Sequence, residues 1–196
     1  MALALLALVG GYAVARVAGG RWSRLVALPW HAGGLVAAAV VAQLLGGGLA
    51  RLTGTGGWYA AGLAVSAIAA MFFCVRNLSR PGVPLVAMGL FANALVVVLN
   101  GAMPVSAAAA SRAGVSLTSI AAGQDPRHVV AADGTTARWL GDAIPLPLPV
   151  APEVVSPGDV LVAAGLGELV VLSMCPRRRR RTQAPASDCR SVALTS

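Results

Sequence analysis

The chain has 196 residues, of which 57% are hydrophobic and only 11% charged, and its formal net charge is +8. A soluble domain is about one-quarter charged, and a single core of this size cannot hide so much apolar surface from water. The composition therefore excludes an ordinary soluble domain and points to a bilayer as solvent. All 15 basic side chains are arginine. They cluster beside apolar runs instead of forming an aromatic-studded basic face, so no nucleic-acid partner is expected.

Five apolar segments follow one another along the chain, at about 1–17, 32–50, 57–75, 83–99 and 157–175. Each approaches the ~20 residues that a helix needs to cross the hydrocarbon layer. Strands are excluded as spans, because lipid cannot satisfy an open strand edge. The expectation is an all-α integral membrane bundle of about five transmembrane helices with a small outer-face loop subdomain. The first segment has a rival reading as a cleaved signal peptide, since Ala13-Val14-Ala15 mimics a cleavage site. Its flanks have the wrong polarity, however: no arginine precedes it, and Arg16, Arg21 and Arg24 follow it. It is read as a retained span.

The 100–156 loop is where chemistry would lie. Ser106 is placed to cap a short helix through about Ala113 that Gly114 ends. The runs 128–132 and 135–139 flank Asp133-Gly134 as a possible hairpin. Pro145, Pro147 and Pro149 favour extended polyproline geometry along the membrane surface, with Trp139 as an interfacial anchor.

The last apolar run opens with Ser156-Pro157-Gly158-Asp159, a helix start with serine at the cap, proline at the first position and an acid three residues on. Glu168 interrupts that run. It lies ~17 Å from the outer helix end, close to mid-bilayer, where a charged carboxylate costs at least ~2.5 kcal/mol. Gln43 on the second span, Asn93 on the fourth and Ser66 on the third are its possible partners, either as interhelical glue or in a proton or cation relay. Pro176 stops the helix, and Arg177 to Arg181 hold its end beside anionic lipid. Residues 1–176 thus read as one membrane domain and 177–196 as a polybasic, disordered tail.

Arg16, Arg21, Arg24, Arg76, Arg80 and Arg177 to Arg181 all fall on one side of an alternating path. The positive-inside tendency makes that side cytoplasmic, with the N-terminus out and the C-terminus in. Cys74, Cys175 and Cys189 would then share a reducing compartment and form no disulfide. Small residues such as Gly46-Gly47-Gly48 and the pair Gly62 and Ser66 would permit close helix contacts.

Several phrases recur in a recognisable order: R-N-x-x-x-P-G with Asn77, Pro81 and Gly82; LNGAMPVS with Asn100, Gly101, Met103 and Pro104; H-V-V from His128; LGDAIPLP with Gly141, Asp142 and Pro145; and VVSPGDVL with Ser156, Gly158 and Asp159. Together they resemble an uncharacterised family of bacterial multi-pass membrane proteins, a domain of unknown function numbered fifty-three seventeen. The resemblance implies an integral protein of the bacterial cytoplasmic membrane with no established activity. Glu168 and the arginine tail lie outside the pattern.

The functional expectation is a non-enzymatic membrane component engaged in partner, assembly or lipid binding. One alternative is a small transporter or channel subunit using Glu168. The other is an outer-face hydrolase in which Asp142 and Asp159 share a proton, with His128 nearby. Against the hydrolase, Asp159 already serves as a cap and Asp142 sits in a turn where aspartate is ordinary. No cofactor or metal is expected, since only His31 accompanies His128 and it lies on the other side.

Overall fold

The computed structural model describes residues 2–54 and 56–175. Its long helices are α1 (Ala2–Val17), α3 (Gly34–Thr53), α4 (Gly56–Arg76), α5 (Val83–Asn100) and α8 (Pro157–Met174), with a short α2 (Trp22–Val26) after α1. The segment between α5 and α8 holds β1 (Met103–Val105), α6 (Ala107–Ala113), α7 (Thr118–Ala121), β2 (His128–Val130), β3 (Ile144–Leu146) and β4 (Glu153–Val155). The span boundaries read from hydropathy agree with these helices to within a few residues.

The long helices pack in the order α1, α8, α5, α4, α3. α8 is thus clasped between α1 and α5, while α3 and α4 form a hairpin beside α5. Glycines set the closest approaches. Gly82 faces Gly165 and Gly89 faces Gly158, so α5 and α8 run antiparallel. A β-carbon added to Gly165 would lie 2.5 Å from the Gly82 carbonyl oxygen, and one at Gly158 would lie 2.7 Å from that of Gly89. Only hydrogen fits in this seam, which lets the two backbones meet. In the α3–α4 hairpin, Gly46 packs on Gly62 in the same way.

α1 runs parallel to α8 along almost its whole length. The Glu153 carboxylate accepts hydrogen bonds from the Ala2 and Leu3 N–H groups, at 3.0 and 2.8 Å. Gly11 lies against Gly167 midway, and Ala15 is buried with Val170 and Met174 at the far end.

At that far end the interhelical links converge. The Arg21 N–H and the Arg24 guanidinium both donate to the Met174 carbonyl, at 3.0 and 3.2 Å, satisfying an orphan acceptor of the α8 terminus. Asn77, fully buried, holds the chain at His31, accepting from its N–H and donating to its carbonyl at 3.0 and 2.9 Å. Arg80 donates to the Pro29 carbonyl, and Trp30 packs on Phe73 with ring centroids 5.6 Å apart. Arg16, Arg21, Arg24, Arg76 and Arg80 therefore gather at one end of the bundle, and the 101–156 cap covers the other.

Within the cap, the helix expected after Ser106 is present: Ser106 Oγ accepts from the Ala109 N–H at 3.3 Å, and Gly114 ends α6 in the left-handed region at φ 75°. The hairpin around Asp133-Gly134 is absent. A turn does form, closed by Thr135 on Ala132. Ala137 then turns left-handed at φ 50°, and residues 138–140 coil into a 3-10 turn, which carries the second run away. His128–Val130 pairs instead in parallel with Met103–Val105, with α6 and α7 as the crossover that parallel strands require. The proline run is extended as expected, yet it is paired: Pro145 faces Val154 in an antiparallel ladder of β3 with β4, so it is not a free polyproline strap.

Four helices are long and apolar enough to cross a membrane, and α1 is a shorter apolar one. Large apolar side chains face outward along them, including Leu44 at 70%, Phe91 at 60% and Val98 at 81% exposure. Water would not tolerate that surface, and lipid covers it.

Candidate functional site

Four of the five phrases meet where the cap sits on α5 and α8. Ser156 starts α8 with a complete capping box: its Oγ accepts from the Asp159 N–H at 3.0 Å, and Asp159 Oδ2 accepts from the Ser156 N–H at 3.1 Å. Asn93 reaches across from α5, donating from Nδ2 to Asp159 Oδ1 at 2.8 Å and accepting from Ser156 Oγ at 2.8 Å. Gly158 is small because the Asn93 side chain and the α5 backbone occupy the space beside it. Both Asp159 carboxylate oxygens are thereby engaged.

Asp142 lies above this knot. Its N–H donates to the Pro104 carbonyl at 2.8 Å, and its carbonyl accepts from the Ser106 N–H at 2.9 Å, which ties it to β1 as an extra bridge at Val105. Gly141 lets the chain come down onto Pro104, where a β-carbon would strike the Pro104 carbonyl. Met103 and Pro104 are buried beneath. The Asp142 residue is only 7% exposed. Burial, then the charges of Asp159 and Glu153, push its carboxyl up to about 7.

His128 bridges outward from Asp142. Its Nε2 is 3.7 Å from Asp142 Oδ2, beyond hydrogen-bond reach, and its Nδ1 is 2.9 Å from Asp125 Oδ2. Burial works against ionisation of Asp125, but hydrogen bonds from the Arg127 side chain and backbone and from His128 outweigh it and bring the carboxyl down to about 2. Asp125 is therefore an acceptor, and His128 Nδ1 carries the donating hydrogen. Asp125 was not foreseen from the sequence. Its signal was available in Asp125-Pro126-Arg127, where the aspartate accepts from the N–H two residues on, at 3.0 Å.

The remaining phrase residues make contacts within the fold. Asn100 pairs with the backbone of Thr136 in both directions at 2.9 Å, holding the turn to the end of α5. Gly101 follows in the left-handed region at φ 79°. Pro145 lies in β3. At the opposite end, Asn77 makes the His31 clamp described above, and Pro81 and Gly82 carry the chain into α5 against Gly165.

Glu168 does not sit where equal helix levels would place it. α8 begins beside the middle of α5, since Gly158 faces Gly89, and so the two helices are staggered. Glu168, three residues past Gly165, is level with the 78–82 turn. Asn93 is committed to Ser156 and Asp159 at the cap. Gln43 is exposed on α3 and Ser66 half-buried on α4. Glu168 instead lines a cavity of about 640 Å³ with Arg80, Pro81, Gly82, Leu85 and Leu172. The Arg177 to Arg181 run and Cys189 lie outside the described residues. Among the described residues, no group of three or more His, Cys, Asp or Glu side chains could hold a metal ion.

Helices of this length and outward apolarity, tied together by a polar knot under a small cap, define an integral membrane protein of the all-α class. Residues 28–171 match the model described as "Family of unknown function (DUF5317)", and the chain belongs to that family. No curated protein and no solved structure matches it.

Proposed function

We propose that the protein is a non-enzymatic component of the bacterial cytoplasmic membrane, and that its outer cap is the platform presented to an assembly partner. The carrying observation is the use of Asp159: both of its oxygens are spent on Asn93 and the Ser156 N–H, so the most obvious catalytic acid is a fastener. Asn77 and Asn100 are fasteners likewise. The phrases around Asn100, Asp142 and Ser156 therefore lock the cap to the bundle, and the one around Asn77 fastens the opposite end. The gathering of Arg16, Arg21, Arg24, Arg76 and Arg80 at the opposite end supports an N-out, C-in orientation, with residues 1–176 as one membrane domain. The Arg177 to Arg181 run would add a contact to anionic lipid on the inner side.

A second reading has its own observation. Asp142, raised to about 7 beside His128, is an acid that titrates near neutrality, as an outer-face hydrolase would need. Asp142→Asn separates the two. A platform keeps its cellular phenotype at equal abundance, whereas a hydrolase loses it. The transporter reading has less support, because among the described residues the cavity at Glu168 is lined from the end of the bundle away from the cap.

A further inference from the structure

The cavity beside Glu168 holds two opposite charges that the protein does not pair with each other. Glu168 has no hydrogen-bond or ion-pair partner among the described residues, and neither does the Nε of Arg80, which is shielded from solvent. The Arg80 guanidinium is fixed at the rim by its bond to the Pro29 carbonyl. The first residues of α5, including Pro84 and Leu85, form one wall, and Leu172 and Cys175 continue the α8 wall beyond Glu168. The site opens at the arginine-bearing end of the bundle, at the level of the α4–α5 turn. From Glu168 the cavity extends along α8 to Leu172 and Cys175, at the end of the helix, and helix ends lie at the headgroup level.

We infer that this cavity binds the headgroup of a zwitterionic aminophospholipid, with the primary ammonium on Glu168 and the phosphate on Arg80. A carboxylate without a partner among the described residues, beside the apolar walls of Pro84, Leu85 and Leu172, is costly, and a primary ammonium both neutralises it and supplies hydrogen bonds. A guanidinium is suited to phosphate. The walls formed by Leu85, Leu172 and Pro84 are apolar, fitting the glycerol and first methylenes of a lipid better than a water-borne ion. A volume of about 640 Å³ is that of an ordinary small-ligand site. The inference is independent of the platform reading of the cap, which could fail without affecting it.

The test is native mass spectrometry of the detergent-purified full chain with added phosphatidylethanolamine, phosphatidylcholine or phosphatidylglycerol. Phosphatidylethanolamine is expected to be retained about tenfold more than phosphatidylcholine, whose quaternary ammonium has no N–H to donate; this is the worth of one charge-assisted hydrogen bond. Glu168→Gln should erase that preference while leaving the melting temperature of the lipid-free protein within a few degrees. Equal retention of the two zwitterionic lipids by the wild type overturns the inference, as does an unchanged preference in Glu168→Gln. Stronger retention of phosphatidylglycerol than of phosphatidylethanolamine also overturns it, leaving a plain anion contact of Arg80. Displacement of the lipid by millimolar free phosphoethanolamine would assign the cavity to a soluble zwitterion and overturn the lipid assignment.

Discussion

Replacing Asp142 with asparagine removes a carboxyl that the fold keeps protonated. In the unfolded chain this group titrates at its ordinary 3.8, and in the folded protein at about 7. Below pH 3.8 both states hold the proton and there is no penalty. Between about 4 and 7 the unfolded chain releases its proton while the folded protein keeps it, so stability falls as pH rises. Above about 7 both are ionised and the loss is complete. At about 1.36 kcal/mol per pH unit, the full loss is about 4 kcal/mol. The residue is 7% exposed, so solvent screens little of it. Asp142→Asn should flatten this slope, matching the wild type near pH 4 and exceeding it by up to about 4 kcal/mol at pH 8. Tryptophan-fluorescence melts of the detergent-solubilised protein from pH 4 to 8 measure it. Parallel profiles for wild type and variant would refute the assignment of a protonated, buried Asp142.

Ser156→Ala removes the α8 cap and the partner of Asn93 Oδ1 together; a loss of about 1–2 kcal/mol is expected, read as a lower melting temperature at unchanged helix content. Gly165→Val drives a side chain into the Gly82 carbonyl, 2.5 Å from where its β-carbon would lie. It should cost about 3 kcal/mol or more and lower the yield of folded protein, whereas the same change at Gly47, which has open space beside it, should be tolerated. A Gly134→Cys variant should react with a membrane-impermeant thiol reagent on intact cells while Cys175 stays protected until the membrane is opened; the reverse pattern inverts the orientation.

Hydropathy made the long helices legible because each span is a nearly unbroken apolar run, and the caps at Ser106 and Ser156 were legible because their chemistry is local. What needed the structure were relations between distant segments. His128–Val130 carries the same signal whether it pairs with a hairpin partner or with β1, and only the Ala137 turn and the α6–α7 crossover decide it. The neighbours of each α8 residue were not legible because residue counting supposes that neighbouring helices begin at one level, whereas the Gly82–Gly165 and Gly89–Gly158 contacts set a stagger. That stagger moves Glu168 to the α4–α5 turn and gives Asn93 to Asp159. The union of Asp125, His128 and Asp142 depends on a 17-residue separation closed by the cap, for which spacing alone offers no signal.

The most direct test is extraction of the membranes of expressing cells with alkaline carbonate and urea. These strip peripheral proteins but leave apolar helices in lipid. The chain should stay wholly in the pellet and enter solution only with detergent. Recovery of a folded monomer in the detergent-free supernatant would contradict a bundle whose outward leucines and valines are covered by acyl chains.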